Sequence, residues 1–245
     1  MQDVVIVTGG SQGIGAAIAK AAGATGYKVA LTYQSNQAMA EAVAAEIGNG
    51  ALAIKAEMAD EASILSLFRT VDEKLGRLTA LVNNAGTPGS VCKIDAVTTD
   101  IIDTVLAVNV RAPFLTIREA AKRMATDQGG LGGSIVNISS RAAELGGAGE
   151  WIHYAASKGA LDSLTIGAAK ELASRGIRVN AVSPGLIQTD LHARAGAPDR
   201  LTRMVGGVPM ARIGTADEVA DAVLYLLSPA SSYITGVILP ISGGR

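Results

Sequence analysis

Seven short runs of β-branched and aliphatic residues, near 4–8, 28–32, 52–56, 79–83, 133–139, 177–183 and 236–240, alternate with longer segments of helical periodicity. That alternation is the mark of repeated strand–helix–strand units and a parallel sheet. Hydrophobic residues make up 49% of the chain but aromatics only 3%, so the core has to be built from Val, Ile, Leu and Ala. Strands of that composition suit a sheet covered by helices. One α/β domain spanning residues 1–245 is the expectation.

Helix ends are marked where the pattern needs them. After Asp60, the apolar positions Ile64, Leu67, Phe68, Val71 and Leu75 share a helical face, and Gly76 follows at the place of a left-handed cap. Thr215 and Glu218 have capping-box spacing ahead of Val219, Val223 and Leu226, with Pro229 beyond the end. The segment from Asp190 to Gly214 reads as one irregular insertion, of the kind used as a lid or binding element.

Composition also excludes. A net charge of -1 argues against a nucleic-acid binder. Cys92, His153 and His192 cannot supply an ordinary zinc site, so no metal is expected, and one cysteine makes no disulfide. No apolar run is long and charge-free enough to span a bilayer, and Val4–Val7 arrives too early for a signal region. A cytoplasmic protein with no membrane partner is expected.

The first strand leads directly into Thr8-Gly9-Gly10-Ser11-Gln12-Gly13-Ile14-Gly15, followed by a helical pattern at Ala16, Ala17, Ile18 and Ala21. Glycines let the backbone turn sharply and approach a pyrophosphate, while the N–H groups and positive dipole end of the helix face its charge. Gly9, Ser11, Gln12, Gly13, Ile14 and Gly15 are therefore read as a dinucleotide cradle. No lysine follows the glycines, which argues against a nucleoside triphosphate loop of Walker type. A dinucleotide fold that takes NAD places an acid at the end of its second strand. Here the strand ends Thr32-Tyr33-Gln34-Ser35-Asn36, and the first acid afterwards is Glu41. Tyr33, Ser35 and Asn36 are candidate donors to a 2′-phosphate, which favours NADP and leaves NAD possible, since no Arg or Lys reinforces them.

Further on, Tyr154 and Lys158 stand four apart on a helical pattern and share a face, and an ammonium beside a phenol favours the phenolate. Ala155, Ala156, Gly159 and Ala160 strip bulk from around the pair. Asn109 has Pro113 four residues later, which deprives its carbonyl of the usual helical donor.

The glycine loop, Asn83-Asn84-Ala85-Gly86, Asn109, Ser139-Ser140, Tyr154-Ala155-Ala156-Ser157-Lys158 and Pro184-Gly185, in this order, resemble the motifs of the short-chain dehydrogenase/reductase family, which includes 3-oxoacyl-acyl carrier protein reductases and glucose dehydrogenase-like members. The resemblance covers essentially the whole chain. It implies a Rossmann fold, a doubly wound seven-stranded parallel sheet with helices on both faces, and hydride transfer between a nicotinamide and a carbonyl or secondary alcohol, such as a sugar or a 3-oxoacyl group. It assigns Tyr154 as acid/base, Lys158 as ribose ligand and pKa-lowering charge, and Asn109 as the holder of a relay water. The physical alternative for Asn109 is a merely kinked helix. Glu57 and Met58 are implied at the adenine, Asn84, Ala85 and Gly86 beneath the ribose, and Pro184, Gly185, Ile187 and Thr189 about the nicotinamide. The family's serine stands thirteen residues before its tyrosine; here that position is Arg141, so the loop is one residue longer. Ser140 is the choice for orienting the substrate oxygen, with Ser139 as the alternative and the extra residue assigned to the Gly146-Gly147-Ala148-Gly149 turn. Gln12 stands where NADP-preferring relatives often carry a basic residue.

His153 and Trp151 are expected to pack at the pocket rim or in the core, and His192, Arg194, Arg200 and Arg203 either to face solvent or to meet an acidic substrate. A homotetramer is implied by the resemblance, supported by the apolar and small residues of the Tyr154 helix, the Asn109 helix and the segment from Val219 to Arg245. A second class of function is a noncatalytic NADP sensor of the same fold. Retention of the tyrosine, lysine, serine and asparagine weighs against it.

Overall fold

The computed structural model describes residues 3–245, apart from the side chain of His192. The first half runs β1 (Val4–Val7), α1 (Gly13–Ala24), β2 (Lys28–Tyr33), α2 (Gln37–Ile47), β3 (Leu52–Lys55), α3 (Glu61–Lys74) and β4 (Leu78–Asn83). The second half continues with α4 (Thr99–Leu106), α5 (Ala112–Met124), β5 (Gly133–Ile138), α6 (Ala142–Leu145), α7 (Ile152–Leu172) and β6 (Ile177–Pro184). It closes with α8 (Leu191–Arg194), α9 (Arg200–Met204), α10 (Ala216–Leu227) and β7 (Ile238–Ile241).

The seven strands form one parallel sheet in the order β3-β2-β1-β4-β5-β6-β7. Strands buried on both faces need two covers, and the molecule has two cores. Ile64, Phe68, Ile117, Met124 and Leu172 from α3, α5 and α7 pack on one face. Ile18, Val43, Val219, Val223 and Leu226 from α1, α2 and α10 pack on the other. Each such side chain contributes about 1.5–3 kcal/mol by leaving water.

The expected caps are present. The Asp60 carboxylate accepts from the N–H groups of Ala62 and Ser63, Gly76 has φ +99°, and Thr215 with Glu218 completes a capping box at α10. Three expectations need correction. β7 begins at Ile238 rather than 236, because Gly236 takes φ +82°, a left-handed conformation outside the strand region. The segment 190–214 is not wholly irregular: the short helices α8 and α9 lie within it, and Leu201 and Val208 pack with Leu186 as a small third core. Pro113 does not interrupt a continuous α-helix. A wide π-type turn from Ala107 to Arg111 precedes it, the Ala112 N–H bonds the Ala107 carbonyl five residues back, and the proline, next in line, returns no N–H to that turn.

Across the middle of the sheet runs a buried polar chain. Thr116 Oγ1 donates to Asn83 Oδ1 (2.7 Å), Asn83 Nδ2 to Asn137 Oδ1 (2.9 Å), and Asn137 Nδ2 to Thr165 Oγ1 (2.8 Å). It ties α5 and α7 to adjacent strands through side chains that are almost wholly buried. Among the described residues, no helix is long and apolar enough to cross a membrane, and no group of three His, Cys, Asp or Glu could hold a metal. Replacing Asn137 by Ala removes the central link and leaves Asn83 Nδ2 buried without its acceptor. We expect a loss of about 2–4 kcal/mol in urea unfolding; a loss under about 0.5 kcal/mol would show that the chain is not structurally important.

Candidate active site

β1 and β4 are neighbours in the sheet but not in sequence, and the crossovers leave them on opposite sides, opening a crevice at their carboxyl ends. The Thr8 hydroxyl closes the floor of that crevice. It accepts from the N–H groups of Asn84 (2.9 Å) and Ala85 (3.0 Å) and donates to the Val82 carbonyl (3.3 Å). Asn84 returns the link, its Nδ2 donating to the carbonyls of Thr8 (2.9 Å) and Gly9 (3.0 Å). From the other side, Thr32 Oγ1 accepts the Gly9 N–H at 2.9 Å. The glycines fit this geometry for separate reasons. Gly9 and Gly13 take φ +64° and +54°, whereas a Cβ on Gly15 would stand 2.2 Å from the Gly9 carbonyl oxygen. Gln12 places no side-chain cap on α1, and the first turn holds no acid, so the amide end of the helix is available to an anion.

The crevice is a cavity of about 890 Å³. Along its wall lie the loop residues Gly9, Ser11, Gln12, Gly13, Ile14 and Gly15; Tyr33, Ser35 and Asn36; Glu57 and Met58; and Asn84, Ala85 and Gly86. Ser139, Ser140, Tyr154, Lys158, Pro184, Gly185, Ile187 and Thr189 complete the other end. A dinucleotide fits the donors and the bare backbone at the glycine end. The Asn36 Oδ1 is used to cap α2 through the Met39 N–H, and the Glu57 carboxylate is held by Gln34 Nε2 (2.7 Å) and the Ala59 N–H (3.1 Å).

Asn109 does not line the cavity. Its side chain lies behind the wall, accepting from the Thr87 N–H (2.9 Å) and donating to the Thr87 carbonyl (2.8 Å) and to Ser157 Oγ (2.9 Å). This joins the loop after β4 to α7.

Tyr154 and Lys158 lie in α7, one turn apart. Burial pushes the Tyr154 phenol up, and the Ser140 hydroxyl, then the Arg200 charge, act in the opposite sense. Lys158 stands beside the phenol as the spacing suggested, while its hydrogen bond goes elsewhere. Its Nζ donates to the Ile138 carbonyl at 2.7 Å and stands 5.6 Å from the centre of the Tyr154 ring. Burial brings Lys158 down from 10.5 to about 8, and Asp162 resists that shift. Asp162 was missed in the sequence, although its place four residues after Lys158 puts it on the same face. Burial raises its carboxyl, opposed by the facing Ser139 hydroxyl and then by Lys158. The two serines thus differ. Ser139 is almost wholly buried and lowers the Asp162 carboxyl, though its hydroxyl makes no hydrogen bond among the described residues, while Ser140 accepts from the Ala142 N–H (3.1 Å), shares the cavity wall with Tyr154 and lowers its phenol. Between Ser140 and α7, the short helix α6 ends in Gly146 at φ +78°, followed by Gly147 and Gly149, also left-handed. Trp151 is buried at the cavity wall under Arg200, whose guanidinium lies 4.9 Å from the ring centre. His153 points away from the cavity, with Nε2 2.9 Å from the Pro88 carbonyl and Nδ1 3.8 Å from Cys92 Sγ.

The family model described as Enoyl-(Acyl carrier protein) reductase matches residues 9–245. Among curated relatives, the oxidoreductase YgfF of Escherichia coli (strain K12) is 45% identical, over 99% of each chain. A 3-oxoacyl-[acyl-carrier-protein] reductase of Synechocystis is 38% identical, over 98% of this chain and 96% of its own. A variant of the Serratia marcescens short-chain dehydrogenase/reductase superposes with a TM-score of 0.91 at 40% identity, covering 99% of this chain and 97% of that one. The chain belongs to the short-chain dehydrogenase/reductase family. It is an oxidoreductase of the kind that acts on carbonyl and CH–OH groups, on the doubly wound parallel sheet of that family.

The buried lysine has a measurable cost. Its folded value near 8 lies below the ordinary 10.5, so between those values the unfolded chain binds more protons and stability rises with pH; below pH 8 the full penalty is present. Lys158→Met should therefore stabilise the fold at pH 7 by on the order of 1–3 kcal/mol. The gain should shrink as urea unfolding is repeated towards pH 10. A variant less stable than the parent at pH 7 would refute the reading.

Proposed function

We propose that this enzyme passes a hydride between a nicotinamide cofactor, NADP(H) in preference to NAD(H), and a ketone or secondary alcohol, with Tyr154 as its acid/base. The observation that carries the reading is the Tyr154 phenol, faced by the Ser140 hydroxyl, in a cavity whose other end is the glycine cradle. A bound nicotinamide would supply or accept the hydride. Gly9 to Gly15 would hold the pyrophosphate at the start of α1, and Tyr33, Ser35 and Asn36 the 2′-phosphate. Glu57 and Met58 would border the adenine, and Asn84, Ala85 and Gly86 the ribose. Pro184, Gly185, Ile187 and Thr189 would flank the nicotinamide.

In the reducing direction, Ser140 donates to the carbonyl oxygen and Tyr154 releases its phenolic proton to that oxygen as the carbinol forms. The phenolate left behind is stabilised by the Ser140 hydroxyl and the Arg200 charge. Lys158, with a value near 8, can return a proton near neutrality as well as reach a ribose hydroxyl. Asn109 acts as a positioning residue, fixing the loop at Thr87 against α7. The segment 190–214, packed by its own small core, is read as the lid over the substrate.

Assembly into a homotetramer is part of the proposal, because Leu106, Phe114 and Ile166 on α4, α5 and α7 and Tyr225 on α10 are left exposed on one chain. Light scattering that returned a stable monomer mass would refute it.

Steady-state kinetics on a ketone panel test the chemistry. Tyr154→Phe should lower kcat by roughly a hundredfold or more while cofactor affinity is kept. Ser140→Ala should harm turnover far more than Ser139→Ala, and kcat/KM should be higher with NADPH than with NADH. Activity of Tyr154→Phe within about tenfold of the parent, or about 1.4 kcal/mol in the barrier, would overturn the tyrosine assignment.

A further inference from the structure

Besides Tyr154, the cavity is lined by Arg141, Arg194, Arg200 and Arg245, with Glu150 the carboxylate among them. Among the described residues, their pairings leave two guanidiniums, Arg194 and Arg245, without an acid; Arg194 Nε instead donates to the Asp190 carbonyl (3.5 Å). Arg141 is paired to Glu144, and Arg200 to Glu150 at 2.7 Å. Arg203 reaches the other Glu150 oxygen at 2.6 Å and Asp199 at 3.8 Å. For the Arg245 guanidinium there is no carboxylate within ion-pair distance among the described residues. The backbone holds that residue in place: its carbonyl accepts from Arg141 Nε (2.8 Å) and from Ser242 Oγ (2.9 Å). Arg141 itself follows Ser140 and is anchored by its N–H to the Pro184 carbonyl (3.0 Å). A guanidinium without an acid, on a residue whose main chain is tied to the cavity wall and beside two arginines whose acids are already engaged, is suited to an anion arriving from solvent.

We infer that the substrate carries an anionic group, carboxylate or phosphate, and that Arg245, assisted by Arg200, receives it while its carbonyl lies at Tyr154 and Ser140. The inference rests on the proposed carbonyl chemistry and adds the class of substrate. Burial and then the repulsion of Arg200 depress the Arg245 guanidinium, Glu150 acts in the opposite sense, and a bound anion would act on the side of Glu150. Arg200 also acts on the phenol, which places the positive group next to the reacting atoms rather than at the pyrophosphate end.

The test uses keto acids with the carbonyl two, three or four carbons along, each beside its methyl ester, and dihydroxyacetone phosphate beside dihydroxyacetone. The parent enzyme should favour at least one anionic member over its neutral twin by tenfold or more in kcat/KM; which pair responds distinguishes carboxylate from phosphate. Arg245→Gln should collapse that ratio towards one, and Arg245→Lys should retain part of it. The sole tryptophan, Trp151, lies under Arg200 and gives a second readout that needs no turnover. With the enzyme saturated by oxidised cofactor, its fluorescence should change saturably with the preferred anion, and the midpoint should rise tenfold or more in Arg245→Gln. Anion binding of that kind without turnover of any pair would support the site and overturn the proposed activity. Turnover with no preference for the anion, a ratio unmoved by Arg245→Gln, or an effect of that variant on cofactor affinity alone would overturn the anion site and leave the activity standing.

Discussion

The structure depends most on one hydroxyl. Thr8 bonds the backbone of Asn84 and Ala85 and the carbonyl of Val82, so the ends of β1 and β4 are fastened where the sheet's winding reverses. Without a fastening there, two strands whose helices lie on opposite faces would be free to splay at the carboxyl edge. Thr32 and the Asn84 amide add bonds to the same turn, so the glycine loop is held by side chains from two neighbouring strands. The loop's bare backbone can then remain uncovered towards the cavity, because its conformation is imposed from below.

The same logic of side chains acting beneath the surface recurs at the other end. Asn109 binds both the N–H and the carbonyl of Thr87 and reaches Ser157, joining the loop after β4 to the helix that carries Tyr154. The Asn83–Asn137–Thr165 chain secures that helix to the sheet. Tyr154 is thereby presented from a helix with little freedom to shift, whereas Ser140 comes from a strand end fixed by the pairing of β5 and β6. Polar groups buried this deeply hold geometry well only when their partners are present.

Much of this was legible in the sequence because it obeys local rules. The alternation of runs located all seven strands, and caps such as Asp60 and Thr215 with Glu218 depend on residues three or four apart. The departures arise where a longer-range choice prevails. Gly236 shortens β7 by adopting a conformation that composition alone does not announce. The π-type turn before Pro113 adds a residue to the helical count, which a reading by fours does not register. Lys158 shares a face with Tyr154, but which acceptor its flexible chain reaches is decided by the Ile138 carbonyl, not by spacing. Arg141 and Arg245 meet on the cavity wall from 104 residues apart, and no pattern in either neighbourhood foretold it. Asp162 obeys the i, i+4 spacing from Lys158, but nothing in its own neighbourhood marks the pair as buried together.

That meeting of Arg141 and Arg245 has a consequence for how the molecule comes together. The glycine cradle, the end of β2 and the Asn84 turn lie within residues 8–86, and their contacts close loops of 23 to 76 residues. The opposite wall of the cavity is completed when the chain near residue 245 returns to the strand end at 141, across 104 residues. Closure entropy grows only with the logarithm of loop length, so this last loop costs only about 0.3 kcal/mol more than the Asn84 contacts. Both ends of one cavity therefore rest on contacts distant in the chain, and topology gives neither half a head start in ordering.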